Sequence, residues 1–174
     1  MYAQAGTGKT EKKSIPLVAK LLSDPKAAGL IMTPTRELAF QVMTQIKAFL
    51  GHDRAVRAAL LIGGEPMPKQ YSQLKWGPRI IVGTPGRIND HLERGTLDLS
   101  NTNFLVLDEA DRMLDMGFGV QLELIAEFLP EKRQTLMFSA TLPPNIVNLS
   151  RKYLTNPERI TVGSTTTAAP KIKQ

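Results

Sequence analysis

Three carboxylates crowd into four residues of the stretch LVLDEADRML, Leu105 to Leu114: Asp108, Glu109 and Asp111 stand directly behind an apolar run. Like charges this close repel unless something of opposite sign sits among them. A carboxylate at the end of a buried strand is a common anchor for a Mg²⁺ that also holds phosphate oxygens. The phosphate half of such a site lies upstream, in AQAGTGKT, Ala3 to Thr10, which fits the P-loop pattern with Ala3 where glycine is usual. Gly6 and Gly8 let the backbone aim its N–H groups at phosphate oxygens, Lys9 reaches the β and γ phosphates, and Thr10 offers a hydroxyl to Mg²⁺. Asp108 then holds the same cation. Glu109 points differently and can orient and deprotonate an attacking water. Asp111 is left to pair elsewhere. Each motif also has a plainer reading, since acidic residues favour the first turn of a helix and glycine-rich stretches often cap one. Their presence in one chain favours the nucleotide site.

Groups like these need strands that end where the loops begin. Candidate strands are Leu30 to Thr33, Val56 to Ile62, Arg79 to Gly83, Phe104 to Leu107, Gln134 to Ser139 and Arg159 to Val162. Most are continuous apolar runs, as expected of strands buried on both faces of a parallel sheet. Helical patterns lie between them. Leu38, Ala39, Val42, Met43, Ile46 and Phe49 share one face and stop at Gly51. A second helix starts after Pro143-Pro144 and buries Ile146, Val147, Tyr153 and Leu154. The alternation predicts an α/β doubly wound fold, with chemistry in the loops outside the carboxyl ends of the strands.

At 174 residues with 42% hydrophobic composition, the chain suits one domain with a core of its own. The balance of 22 Lys and Arg against 16 Asp and Glu gives +6. That charge suits an anionic partner such as nucleic acid and equally suits ordinary solubility. The absence of cysteine excludes a disulfide framework and thiolate metal sites. No apolar stretch approaches the roughly 18 residues of a membrane span and no signal-peptide pattern opens the chain, so a cytoplasmic protein is expected. After Val162 the composition turns to GSTTTAAPKIKQ, which reads as a linker over residues 163–174 behind a domain of residues 1–162. Only Met1 and Tyr2 precede the P-loop where a strand is expected, so the chain is read as beginning inside a larger protein. Pro16 should kink the helix that follows the P-loop.

Six motifs occur in order: AQAGTGKT at Ala3, PTRELA at Pro34, GG at Gly63, TPGR at Thr84, DEAD at Asp108 and SAT at Ser139. Together they make nearly the whole chain resemble the first RecA-like domain of a DEAD-box RNA helicase. The surrounding RMLDMGF and RQTLMFSATLP resemble the bacterial branch. The resemblance implies a RecA-like P-loop domain, a mostly parallel sheet with helices on both faces, and ATP-dependent unwinding or remodelling of RNA. It implies that Ala5, Gly6, Thr7, Gly8, Lys9 and Thr10 bind ATP, that Thr10 and Asp108 serve Mg²⁺, and that Glu109, with Asp108 and Lys9, is catalytic. Ser139 and Thr141 would link the ATP site to strand separation, with Asp111 as their hydrogen-bond partner. A hydroxyl is a short donor suited to a carboxylate, although SAT also reads as a helix N-cap region.

Thr35, Arg36, Gly63, Gly64, Thr84, Gly86 and Arg87 resemble the family's contacts to the RNA backbone. The Thr and Arg of PTREL and TPGR stand at strand-to-helix junctions, where backbone N–H groups and a guanidinium can take a phosphate oxygen without reading sequence. Thr35 and Thr84 also suit helix caps, Arg36 could pair with Glu37 or Asp111, and Gly63 and Gly64 could simply end a strand. Trp76, Tyr71, His52 and His91 match no motif and are read as core or surface packing. The resemblance further implies an adenine-sensing segment before the P-loop and, beyond the linker, a second RecA-like domain carrying an arginine finger. Two other functions stay open: a nucleotide-gated RNA clamp or scaffold, and a DNA-directed superfamily 2 motor, which DEAD together with SAT disfavours.

Overall fold

The computed structural model describes residues 19–21, 23–51 and 56–154. The P-loop, Pro16, His52, the strand expected at Arg159 to Val162 and the linker lie outside the described residues.

Five strands, β1 (Gly29–Met32), β2 (Ala58–Leu61), β3 (Ile80–Gly83), β4 (Phe104–Leu107) and β5 (Gln134–Met137), form one sheet in the order β2-β3-β1-β4-β5. Every neighbouring pair is parallel. Six helices occupy the described connections and the end of the described chain: α1 (Arg36–Leu50), α2 (Met67–Lys75), α3 (Pro85–Glu93), α4 (Ala110–Asp115), α5 (Gly119–Glu127) and α6 (Pro144–Tyr153).

Successive strand residues face opposite sides of the sheet, and the core divides accordingly. Leu30, Met32, Leu105 and Leu107 join the buried residues of α3 to α6, whereas Ile31, Phe104 and Val106 join those of α1. Covering both faces is what makes β1, β3 and β4 continuous apolar runs, each buried at all four positions.

The helix faces differ from expectation in detail. Ala39, Val42, Met43 and Ile46 of α1 are buried, but Leu38 is half-buried and Phe49 is 47% exposed. At about 100° per residue, Leu50 rather than Phe49 lies over the stripe, and Leu50 packs against that core. On α6, Ile146 and Tyr153 are buried together with Leu149 and Ser150, while Val147 and Leu154 are half-buried. β4 has the expected bounds and β1 lies one residue earlier than expected, while β2, β3 and β5 are shorter than their expected runs. No helix among the described residues is long and apolar enough to cross a membrane.

One feature of the register positions the site. Leu61, Gly83, Met32, Leu107 and Met137, the last residues of the five strands, are partners in a single row across the sheet. The five loops that follow therefore leave from the same level. Gly83 makes this possible beside β2, since a Cβ there would lie 2.4 Å from the Leu61 carbonyl oxygen.

Candidate functional site

The five described motifs sit on these five loops. Read across the sheet, they come in the order GG after β2, TPGR after β3, PTREL after β1, DEAD after β4 and SAT after β5. The first three are neighbours, and so are the last two. Parallel strands stand about 4.8 Å apart, so two patches of different chemistry adjoin within a few strand spacings.

The first patch is a cleft of about 530 Å³ lined by Pro34, Thr35, Arg36, Glu37, Gly63, Thr84, Gly86, Arg87, Met116 and Phe118. Thr35 is the N-cap of α1, its hydroxyl oxygen accepting from the Leu38 N–H at 3.2 Å. Thr84 holds the same place before α3, yet its side chain makes no capping bond, and Pro85 opens the helix. Two helix N-termini thus border the cleft, each a source of partial positive charge. Arg36 and Arg87 add full charges. The Arg36 guanidinium lies against Gly64, whose φ is 81° and where a Cβ would stand 2.4 Å from Nη1. Arg87 is anchored on one side only. Its Nη1 donates to the Glu65 carbonyl at 3.0 Å and to Gln70 Oε1 at 3.3 Å, and meets Met67 Sδ at 2.9 Å. Six of the seven residues matched to RNA contacts line this cleft, and the seventh, Gly64, borders it through Arg36.

The second patch answers how three carboxylates coexist. Asp108 continues the ladder by donating its N–H to the Met32 carbonyl and is 3% exposed. Glu109 follows with φ 55° and ψ 53°, and no other non-glycine residue has positive φ among the described residues. Left-handed backbone costs a non-glycine residue about 1–2 kcal/mol. The turn is over-determined by its neighbours, since Phe138 N–H donates to Leu107 and Ala110 N–H donates back to Phe138. Its effect is to separate the side chains: Glu109 is partly exposed, with Oε1 3.8 Å from Arg112 Nη1. Asp111 accepts twice, from Thr141 Oγ1 at 2.9 Å and from the Arg112 N–H at 3.0 Å. Buried Ser139 donates to the Thr141 carbonyl at 2.7 Å, holding the SAT turn that presents Thr141.

The plainer readings are partly realised as well. Glu109 is the N-cap of α4 and Asp111 lies in its first turn, so DEAD is indeed an acidic helix start. SAT is not a cap: Pro143 is the N-cap of α6, without a side-chain capping bond. Arg36 lies beside Gly64, while Asp111 takes Thr141. Trp76 is a surface residue, 68% exposed, with the Arg57 guanidinium 5.0 Å from its ring centroid.

His91 is buried, the core alternative of its expected packing role, with Tyr71 edge-on at 5.7 Å. Its Nε2 lies 2.6 Å from Gln70 Oε1, the atom that also takes Arg87. Burial and the nearby Arg87 charge hold the His91 pKa below its usual value. Gln70, Met116, Phe118 and the pairing of Arg112 with Glu109 were not singled out in the sequence. Gln70 is the one residue that α2 buries.

A hard cation needs oxygen donors, and Asp108 supplies one. No group of three or more His, Cys, Asp or Glu is gathered at one point among the described residues. Among these residues Asp108 is the one that would hold a Mg²⁺.

Comparison with known proteins agrees with this arrangement. The family described as DEAD/DEAH box helicase matches residues 1–149. The chain is 46% identical over 173 residues to the ATP-dependent RNA helicase DeaD of Escherichia coli K12, covering 99% of this chain and 28% of that protein. It is 48% identical over 161 residues to the ATP-dependent RNA helicase DbpA of Bacillus subtilis, covering 92% and 33%. Among solved structures, a DEAD box protein from the hyperthermophile Methanococcus jannaschii superposes with a TM-score of 0.80 at 42% identity, over 88% of this chain and 42% of that one. The chain thus spans about a third or less of the length of these curated relatives.

Proposed function

The chain belongs to the DEAD/DEAH box helicase family and has its α/β RecA-like fold, and from that premise we propose that it is the nucleotide- and RNA-binding half of an ATP-dependent RNA helicase. It acts in the cytoplasm and grips the RNA backbone without reading sequence. A second RecA-like domain of the same protein completes both sites. The observation that carries this reading is the single row of strand ends, which sets a cleft with two arginines and two helix N-termini beside the Asp108 to Asp111 turn. A cleft bearing two guanidiniums and two helix N-termini suits phosphates.

Bound ATP with Mg²⁺ supplies the phosphoryl group that water attacks and the positive charge that offsets Asp108. Ala5, Gly6, Thr7, Gly8, Lys9 and Thr10 would bind the triphosphate, and Thr10 and Asp108 would hold the metal. Glu109 accepts the water's proton. Asp111, Thr141 and Ser139 tie the acidic turn to the loop after β5, so a displacement of one is felt by the other. Thr35, Arg36, Gly63, Gly64, Thr84, Gly86 and Arg87 take RNA phosphates.

ATP hydrolysis and strand displacement by the full-length protein test the reading. Single-stranded RNA should stimulate hydrolysis, and short RNA duplexes should separate. Equal stimulation by DNA counts for a DNA-directed motor, and ATP-dependent RNA retention without strand release counts for a clamp. Gly64→Ala tests the cleft itself. The new methyl strains a positive-φ turn by about 1–2 kcal/mol and displaces the Arg36 guanidinium. Expected is several-fold weaker binding of single-stranded RNA by fluorescence anisotropy, with nucleotide affinity retained. Unchanged RNA affinity removes Gly64 and Arg36 from the interface.

A further inference from the structure

Gln70 is fully buried, polar, and bonded to three residues on two segments, the turn after β2 and α3. Its Nε2 donates to the Ile62 carbonyl at 2.8 Å, immediately before Gly63. That acceptor fixes the amide, leaving Oε1 for the opposite side. There it takes Arg87 Nη1 at 3.3 Å and His91 Nε2 at 2.6 Å. Because an amide oxygen only accepts, the His91 proton sits on Nε2. Nδ1 of the neutral ring lies 2.8 Å from Thr96 Oγ1, whose hydroxyl also reaches the His91 carbonyl at 3.1 Å. Burial and the Arg87 charge favour this neutral form. Among the described residues, every hydrogen bond of the Arg87 guanidinium falls on Nη1, so the other nitrogens remain for a ligand in the cleft that Arg87 lines.

We infer that Gln70 and His91 are positioning residues for RNA binding: a buried His91–Gln70 pair holds the back of Arg87 and the start of the GG loop, so that guanidinium and loop meet one phosphate track together. This rests on the assignment of the cleft to RNA. A buried polar residue is costly unless its bonds are satisfied. Here each bond ends beside the cleft: on Ile62 before GG, and on Arg87 and His91 of α3. A leucine would fill the same space without aiming anything.

The test is a double-mutant cycle in the full-length protein, reading affinity for a fluorescent oligouridylate with a non-hydrolysable ATP analogue across a salt series. Arg87→Ala should weaken binding about tenfold and flatten the log–log salt slope by about 0.7, the loss of one phosphate contact on a single strand. Gln70→Leu should weaken binding about fivefold and flatten the slope as well. In the Arg87→Ala background, Gln70→Leu should cost twofold or less, because the residue it aims is gone. His91→Phe keeps a ring against Tyr71, removes the donor to Gln70, and carries the test if Gln70→Leu does not fold. Two results overturn the inference alone: losses equal in both backgrounds, or an unchanged salt slope, while Arg87→Ala itself weakens binding. If Arg87→Ala leaves affinity and slope untouched, the RNA assignment of the cleft fails and takes the inference with it.

Discussion

Glu109→Gln in the full-length protein is expected to lower RNA-stimulated ATP turnover by about 10² to 10⁴, the range a positioned general base contributes, while ATP and RNA still bind. The amide has the shape of the carboxylate but cannot accept the water's proton at neutral pH. The backbone that presents it is held from outside the side chain, through the bonds that Phe138 makes to Leu107 and Ala110, so the left-handed turn should survive. The contact to Arg112 weakens, yet an exposed pair at 3.8 Å contributes little to stability. Asp108 keeps its carboxylate for the metal, and Asp111 keeps Thr141. Single-turnover phosphate release, beside anisotropy for RNA and a fluorescent nucleotide for the ATP site, separates chemistry from binding. Near-normal turnover removes Glu109 from the base role, and loss of nucleotide binding shows that the turn itself was disturbed.

Why that turn escaped the sequence is instructive. DEAD states four side chains, and nothing in their identities demands a positive φ at Glu109, a conformation that disfavours residues carrying a Cβ. The conformation is imposed by long-range bonds from the β5 segment, which no local pattern reports. The strands β1, β3 and β4 were legible because burial on both faces leaves continuous apolar runs. Phe49 was misplaced by a turn-end effect: six apolar residues over three turns define a stripe, but only the exact rotation says that Leu50 covers it. The catalytic candidates were legible as motifs whose residue types carry chemistry. Gln70 and His91 carry theirs only through partners, and a buried glutamine looks like any polar residue until Ile62, Arg87 and His91 surround it. The order of the motifs across the sheet was likewise invisible. It depends on β1 lying between β3 and β4, a matter of topology rather than sequence adjacency.

That topology leads to the second large effect. Residues 1–174 alone should hydrolyse ATP barely above background and fail to separate duplexes, and restoring the second RecA-like domain through its native linker should raise turnover by about 10³ to 10⁵. The deficit is electrostatic. Charge that builds on the γ phosphate in the transition state is commonly met by an arginine finger, and the described arginines at this end of the sheet are placed for other contacts. Arg36 and Arg87 line the cleft, and Arg112 pairs with Glu109. Others are bound far from the acidic turn: Arg79 to the carbonyls of Leu21, Asp24 and Ala27, and Arg133 to those of Pro130 and Tyr153. RNA affinity suffers as well, because one domain offers only its own phosphate contacts, and log affinity scales with their number. A tether restores the missing groups at an effective concentration of about millimolar for a short flexible linker. Phosphate release with excess single-stranded RNA, comparing the chain alone, the two domains mixed as separate pieces and the two joined, resolves the terms. Turnover should rise in that order. Robust RNA-stimulated turnover by the chain alone would place the charge-neutralising arginine within these 174 residues and overturn the division of labour between the domains.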